Sequence, residues 1–509
     1  MKTSQNVDSS VDQSQEQWSR LSPISVLFFL GKSISSILKD ALPGLAPLGV
    51  LIFNSENKTW VVGLVIAGIV LLTIVSAVLQ YLFFKYRLQE DKILINDGVF
   101  KKRQRTLEHD RIQNVNIIQP VYFKIFDLVT LNLETAGSKG NEANLAGISR
   151  QSAEKIKQNI LAKAPEFEDS IVENSEPIES ASTSTLATAN LNQLVQYGLT
   201  SNAMFWFLIF LAPLFGALDD VIENWIGDET VDAFVNSFGG GLKGGLVLIA
   251  VALFSLLFVM LLFSITGSIL RFYKYHLTQE KDTLRRHSGL ISTHEESLKL
   301  SKIQAMTFQT NFIGLWLKAE NITIKQASTQ VNNESSRSNL FIIPSRVRQE
   351  SIELLKRLLG VNKLPDLLDS VDRRYIRKNT LILSVPVFIL SIILWINSSS
   401  LLSLLPLSLT PLIWLFYRQK WKQLGYKITS HFGFVRKGVI GYRYTCLPLF
   451  KVQRVSISQS FLQKRNNLAT LTLYMASESI TIPYIPMRSA VEWFDKISTQ
   501  IETRNENWF

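Results

Sequence analysis

Hydrophobic positions follow two patterns that alternate along the chain. Long uncharged runs come first in each cycle: Trp60–Phe84 is 25 residues without a charge, and Gly244–Leu270 is 27. Either is long enough to cross a hydrocarbon core of about 30 Å. Ala203–Leu218 ends an uncharged run that begins at Leu186. Asn379–Tyr417 is 39 uncharged residues broken by Asn397-Ser398-Ser399-Ser400, which fits two helices and a tight turn. Ala41–Phe53 alone is too short to span. Ile24–Leu38 before it suits the interface, with Lys32 and Lys39 reaching for headgroups. A first span is still assigned, because parity then puts every polar region on one side. The pattern predicts three membrane hairpins, 18–84, 191–270 and 361–416.

Short period-two alternation follows each hairpin, as in Ile93, Ile95; Val115, Ile117; and Leu131, Leu133. It marks half-buried strands. The strands repeat. Tyr86-Arg87-Leu88, Gly98-Val99-Phe100, Arg111-Ile112-Gln113 and Leu131-Asn132-Leu133 return as Tyr275, Gly289, Gln304 and Ile322, and again as Tyr426, Gly438, Gln453 and Leu471. Glycine to glutamine is 15 residues in all three copies, and glutamine to the last aliphatic triplet is 18. A fixed period means a repeated structural unit. Asn96-Asp97-Gly98 and Arg436-Lys437-Gly438 read as hairpin turns with glycine supplying a positive φ. Each unit closes with an amphipathic helix, about Gln151–Ala164, Arg346–Leu359 and Arg488–Glu502. In the last, Val491, Phe494, Ile497 and Ile501 recur at helical spacing. The predicted fold class is membrane α-helical plus α+β: three hairpins, each followed by a β-sandwich or barrel with a C-terminal helix, at 85–164, 271–360 and 417–509.

This unit resembles the bacterial pleckstrin-homology-like membrane proteins of the YdbS/YdbT type. The resemblance rests on the Tyr-x-aliphatic opening, the Gly-Val-Phe turn at Gly98, Arg111-Ile112-Gln113 and Leu133-Glu134-Thr135-Ala136-Gly137. It covers roughly Trp18 to the C-terminus. The second copy departs most, with Gly289-Leu290 for Gly-Val and no Thr-Ala-Gly ending. The resemblance implies a seven-stranded barrel-like sheet with a C-terminal helix, a setting in envelope homeostasis, and a smaller membrane protein of the same family as partner. It implies no reaction, and a fold alone supplies none.

Charge sets the orientation. Net charge is +11, and its location matters more than its size. Asp219, Asp220, Glu223, Asp228, Glu229 and Asp232 lie between the third and fourth helices, whereas Lys85, Arg87, Arg271, Lys274, Arg418, Lys420 and Lys422 lie at the opposite ends. Basic loops stay in the cytoplasm. The polar units and termini are therefore assigned to the cytoplasmic face of the plasma membrane, and nucleic acid is set aside as a partner. Residues 1–17 read as a disordered tail. Residues 165–190 read as an acidic linker whose Ser/Thr-rich end, Ser180–Thr188, forms a flexible tether. A single cysteine, Cys446, excludes an internal disulfide.

Candidate chemistry is sparse. Gly31-Lys32-Ser33 lacks the upstream glycine of a phosphate loop, since position 26 is Val26. His109, His276, His287, His294 and His431 form no metal-binding motif. No catalytic residue, metal or cofactor is assigned, and the chain is expected not to be an enzyme. Gly240-x-x-x-Gly244 and Gly241-x-x-x-Gly245 read either as a close helix contact or as a flexible outer loop. Gln113, Gln304 and Gln453 read as amides satisfying a backbone bend, and Gly98, Gly289 and Gly438 as turn residues. The functional candidates are basic: Lys101, Lys102, Arg103 and Arg105 after the first turn, and Arg373, Arg374, Arg377 and Lys378 before the fifth helix. Near an anionic surface each cation gains about 1 kcal/mol. The expectation is a protein- or lipid-binding adaptor that contacts anionic headgroups. The alternative is a small-molecule exporter or an accessory subunit of a transporter.

Overall fold

The computed structural model describes residues 18–37, 58–89, 91–99, 101–109, 112–135, 143–162, 184–201, 228–326, 341–361, 363–365, 367–398 and 401–503. Ala41–Phe53, Ala203–Leu218, the tail 1–17 and most of the acidic linker lie outside them. Three helices are long and apolar enough to cross a membrane, at Gly63–Phe83, Lys243–Phe272 and Arg374–Asn397. Their Leu64, Phe254 and Leu381 side chains stand outward and exposed, as a lipid-facing surface requires. The sixth predicted helix is divided: a 3-10 stretch, Leu401–Ser408, precedes an α-helix, Leu409–Gln423.

The chain forms two compact units, Met1–Ala181 with Ile291–Ser297, and Ser182–Leu290 with Leu298–Phe509. In the first, α1 (Val26–Ser36) and α2 (Lys58–Phe83) lead into β1 (Lys85–Leu88), β2 (Lys92–Asp97) and β3 (Arg103–Glu108), an antiparallel sheet. A second sheet holds β4 (Ile112–Gln119), β5 (Leu128–Thr135) and β6 (Ala143–Ser149). A short helix, α3 (Val121–Lys124), separates β4 from β5, and α4 (Arg150–Ala162) closes the repeat. Alternation sends Ile93, Ile95, Leu131 and Leu133 inward, where they meet Ala153, Ile156 and Ile160 of α4. Thr293–Glu295, from a strand of the second repeat, pairs with Ile117–Gln119 on the free side of β4.

The second unit begins with β7 (Ser184–Thr188), α5 (Leu191–Thr200), α6 (Asp228–Ser237) and α7 (Gly241–Phe272). The predicted flexible tether is thus corrected at its end: Ser184–Thr188 is a strand paired with β8 (His276–Glu280). Its backbone groups find a partner there, so it orders despite its composition. Strand β9 (Thr283–Ser288) pairs with β8, and β10 (Thr293–Lys299) completes the first half of this repeat. Its second half is β11 (Ile303–Thr310), β12 (Ala319–Gln326) and β13 (Phe341–Val347), with α8 (Phe312–Leu317) between β11 and β12 and α9 (Arg348–Leu359) after β13.

The third repeat follows α10 (Arg374–Ser398) and α11 (Leu409–Gln423). It comprises β14 (Asp369–Ser370), β15 (Gly425–Ile428), β16 (Phe432–Lys437) and β17 (Tyr442–Pro448), then β18 (Val452–Ser458), β19 (Leu468–Met475) and β20 (Ser479–Pro486). A short helix, α12 (Phe461–Arg465), lies between β18 and β19, and α13 (Met487–Thr503) ends it. Strands β11 and β17 pair, giving one seven-stranded sheet ordered β13-β12-β11-β17-β16-β15-β14. Phe434, Tyr444 and Cys446 of the third repeat consequently belong to the core of the second.

Each hairpin starts and ends at one point. Ser19 and Tyr86 exchange backbone hydrogen bonds at 2.8 and 3.1 Å. Thr188 pairs with His276, and Ser370 with Gly425. Within the second hairpin, Ser264 Oγ donates to Gly198 O at 2.7 Å and Ser268 Oγ to Leu194 O at 2.6 Å. A Cβ on Gly198 would stand 2.7 Å from Ile265 Cα, so this crossing needs a small residue. Of the Gly-x-x-x-Gly residues, Gly244 packs against Val235 of α6, whereas Gly245 has open space around it.

The structure refines three residue-level expectations. Gly98, Gly289 and Gly438 sit at equivalent turns, between β2 and β3, β9 and β10, and β16 and β17. Gly98 and Gly289 have positive φ, but Gly438 does not. Gly438 is required by crowding, since a Cβ there would stand 2.1 Å from Gly441 O. Gln113, Gln304 and Gln453 each occupy a β-bulge, so the expected bend is present. Their amides do not satisfy it in common: Gln453 is exposed, and both amide atoms of buried Gln304 lack a partner among the described residues. On α13 the core-facing stripe is Ala490, Trp493 and Ile497, and Val491 and Phe494 are exposed.

Gly441 lies where β17 approaches β11, and a Cβ there would stand 2.1 Å from Thr310 O. Gly441→Ala should destabilise the second unit by roughly 1–3 kcal/mol, read as a lower thermal midpoint of the full chain in detergent. Gly267→Ala, in open space, is the control and should leave the midpoint unchanged.

Candidate functional site

The turn glycines bring the polar units against the helix ends. In the first repeat, Asp97, Gly98, Val99, Lys101 and Arg103 share a cavity of about 300 Å³ with Phe29 and Lys32 of α1 and Gln80 and Phe84 at the end of α2. In the second, Gly289 N donates to Tyr273 O and Leu290 N to Leu270 O, both at 2.9 Å. In the third, Arg436 Nε donates to Gln423 O at 2.9 Å. The turn glycines therefore sit where a hairpin emerges. Leu290, Ile291 and Ile440 are exposed large apolar residues at these tips.

This places the predicted basic residues. Lys101, Lys102 and Arg103 are exposed, and Arg105 is half-buried and paired with Asp97 at 3.1 Å. Lys101 and Arg103 converge on the cavity that Lys32 also lines. The second cluster flanks the start of α10. Asp372 caps it, accepting from Arg374 N at 2.8 Å and pairing with the Arg374 guanidinium at 3.4 Å. The Arg373 guanidinium lies 5.5 Å above the Trp421 ring, and Lys378 Nζ lies 5.7 Å above Tyr484. Arg377 is exposed. Cations at a helix N-terminus oppose its dipole, and Asp372 offsets part of that cost. The two clusters belong to separate units.

Sequence reasoning missed a third site, at the β11–β17 seam. Glu320 is 2% exposed on β12. Its Oε2 accepts from Arg348 Nη1 at 2.9 Å and from Tyr442 Oη at 2.8 Å. The Arg348 guanidinium lies 5.6 and 5.7 Å above the Tyr442 and Tyr444 rings. Burial, and then the Glu320 carboxylate, push the Tyr442 hydroxyl up to about 12. Burial pushes the Tyr444 hydroxyl and the Cys446 thiol up as well. Glu320, Arg348, Tyr442 and Tyr444 edge a cleft of about 820 Å³ that Lys318 and Arg436 also line. Nearby, Lys325 and Glu478 form a second, largely buried ion pair across the same repeats. The legible signal was Arg at the first position of two closing helices, Arg150 and Arg348. Arg150 likewise pairs with Glu295 on the strand segment added to β4.

The bacterial PH domain profile matches three times, at residues 34–164, 232–358 and 380–501. The chain belongs to the bacterial PH domain family. Each match takes in the membrane helix or helices preceding a PH domain, which agrees with the way each domain grips its hairpin. The chain is also 25% identical over 473 residues, 90% of its own length and 93% of the relative's, to the UPF0699 transmembrane protein YdbT of Bacillus subtilis (strain 168). No solved structure matches. Three PH domain matches confirm the repeat and fold class expected from the glycine–glutamine spacing, and the chain is a membrane protein.

The Glu320 cluster holds the second and third PH domains together. Removing one member of a buried pair leaves the other uncompensated, a cost of about 3–5 kcal/mol when both are buried. The Arg348 side chain is 41% exposed, so Glu320→Ala should cost less, about 2 kcal/mol. Cys446, fully buried on β17, reports on the seam. It should stay unreactive toward a maleimide at pH 7–8 in the folded chain. Glu320→Ala should bring its labelling to lower urea concentrations.

Proposed function

We propose that this chain is a non-enzymatic adaptor of the plasma membrane. Its PH domains lie on the cytoplasmic face and bind acidic headgroups and protein partners. The observation that carries this reading is the cavity where Lys32, Lys101 and Arg103 meet Phe29 and Phe84. It joins three cations to an apolar floor at the foot of a hairpin, a combination suited to a phosphate headgroup above an acyl chain. Exposed charges act over only about 8–10 Å at physiological salt, and a turn seated at the helix ends meets that limit. The resemblance extends the proposal to envelope homeostasis and to a smaller membrane protein of the same family as partner.

The backbone ladders support the single-sided arrangement. Helix α2 is long enough to cross, and Ser19 is bonded to Tyr86 just beyond its end. The Lys/Arg asymmetry makes the shared side cytoplasmic.

Two measurements test the proposal. Cysteine introduced at Asp228 should react with an impermeant maleimide in intact cells, and cysteine at Lys281 only after permeabilisation; equal labelling would overturn the topology. The full chain in nonionic detergent should bind phosphatidylglycerol in native mass spectrometry, with occupancy falling as salt rises. Replacing Lys101, Lys102, Arg103 and Arg105 with Gln should reduce occupancy at least tenfold. Undiminished binding would remove this cluster from the headgroup site.

A further inference from the structure

Among the described residues, the strands that correspond to the two halves of the seams already formed each have an open edge in the first and last repeats. In both seams the strand carrying the bulge glutamine of one repeat receives the strand after the turn glycine of the next. At the β11–β17 seam, Thr310 faces Tyr442 and Gln309 faces Arg443. On β4, Gln119 faces Thr293 and Ile118 faces His294. The register is the same: the sixth residue after the glutamine faces the fourth after the glycine. Among the described residues, β3 pairs with β2 alone and β18 with β19 alone. Strand β3 is the after-glycine strand of the first repeat, and β18 is the glutamine strand of the last.

Both open edges have the geometry of their paired counterparts. Asp97 faces Arg103 as Lys437 faces Arg443, one residue before the glycine against five after it. Arg454 faces Tyr474 as Ala305 faces Lys325 and Asn114 faces Glu134. Gln459 Nε2 donates to Leu468 O at 2.8 Å, as Gln119 Nε2 donates to Leu128 O at 3.3 Å. Gln119 Oε1 also accepts from Thr293 Oγ1 of the added segment at 3.4 Å. Gln459 offers the same acceptor.

We propose that a second copy of this chain closes these edges, with β18 of one copy added antiparallel to β3 of the next. The proposal deepens the adaptor reading by naming one of its protein partners. The seam register places Lys102 opposite Gln459, Arg103 opposite Ser458, Gln104 opposite Ile457 and Arg105 opposite Ser456. Small serines leave room for the arginine stems and present hydroxyl acceptors to their guanidinium groups, and no acidic pairing is needed. Four cations along and beside an edge also discourage casual strand addition, so only a partner with neutral, small residues in this register fits. Such a contact is heterologous, head to tail, and builds rings or open arrays on the membrane.

Disulfide trapping in native membranes tests this. Two differently tagged full-length chains are co-expressed, one with Arg103→Cys and the other with Ser458→Cys. Oxidation should give a cross-linked species carrying both tags. Moving the second cysteine one residue, to Ile457→Cys, should lower the yield at least fivefold, because adjacent strand positions face opposite sides. Lys32→Gln, which weakens headgroup binding but lies on α1 and off the strand edge, should not change the yield. No mixed-tag product from cysteines that a small maleimide can reach would overturn the proposal. Equal yields from Ser458→Cys and Ile457→Cys, or cross-linking of β3 only to another protein, would do the same. Each of these results leaves the headgroup measurement standing, so the two failures are distinguishable.

Discussion

Backbone hydrogen bonding across open sheet edges is the constraint on which this structure turns. A PH domain of two small sheets leaves strand edges whose N–H and C=O groups need partners. Here the β11 edge is satisfied by β17, in a register fixed by a bulge on one side and a glycine turn on the other. Side chains then reinforce the seam: Thr307 and Thr445 hydroxyls meet at 3.3 Å, Arg443 reaches Gln309 at 2.9 Å, and Glu320 ties Arg348 to Tyr442. Buried ion pairs contribute little net stability but penalise misalignment strongly. Their presence at a seam suits registry rather than strength.

The same economy governs the membrane boundary. Each hairpin is closed by a short backbone ladder between the chain that enters and the chain that leaves, so a soluble domain cannot swing freely from its helices. Trp421 Nε1 donating to Val371 O at 2.7 Å and Ser25 Oγ to Ala146 O at 2.8 Å tie side chains into these closures. The turn glycines then fall at the helix ends, and the charge that follows Gly98 stands beside Phe29 and Phe84. On α8, Trp316 is 81% exposed while Asn311, its cap, donates to Leu199 O near the start of the second hairpin. An aromatic in that position suits the same interface.

Much of this was legible in the chain. Fixed spacing between Gly98 and Gln113, and between their counterparts, gave the repeat, because a turn and a bulge each constrain one backbone position at a fixed strand length. Uncharged length gave the three spans at Gly63–Phe83, Lys243–Phe272 and Arg374–Asn397. Ser184–Thr188 looked like linker because its order comes from β8, more than 80 residues away in sequence. The apolar face of α13 shifted by one residue because Ala490 and Trp493, rather than Val491 and Phe494, fit the space left by the sheets. Glu320 was invisible because nothing local marks a carboxylate whose partners, Arg348 and Tyr442, come from distant segments. The basic turn at Lys101–Arg105 was found by charge alone, but its seat beside Phe29 and Phe84 was not.

Hydrogen–deuterium exchange of the full chain in lipid nanodiscs tests the edge-pairing account most directly. If β17 is sealed against β11, the amides of Tyr442–Cys446 should exchange as slowly as those of the central strand β12, over hours. Exchange of that segment within seconds, at the rate of the neighbouring turn around Gly438, would contradict it.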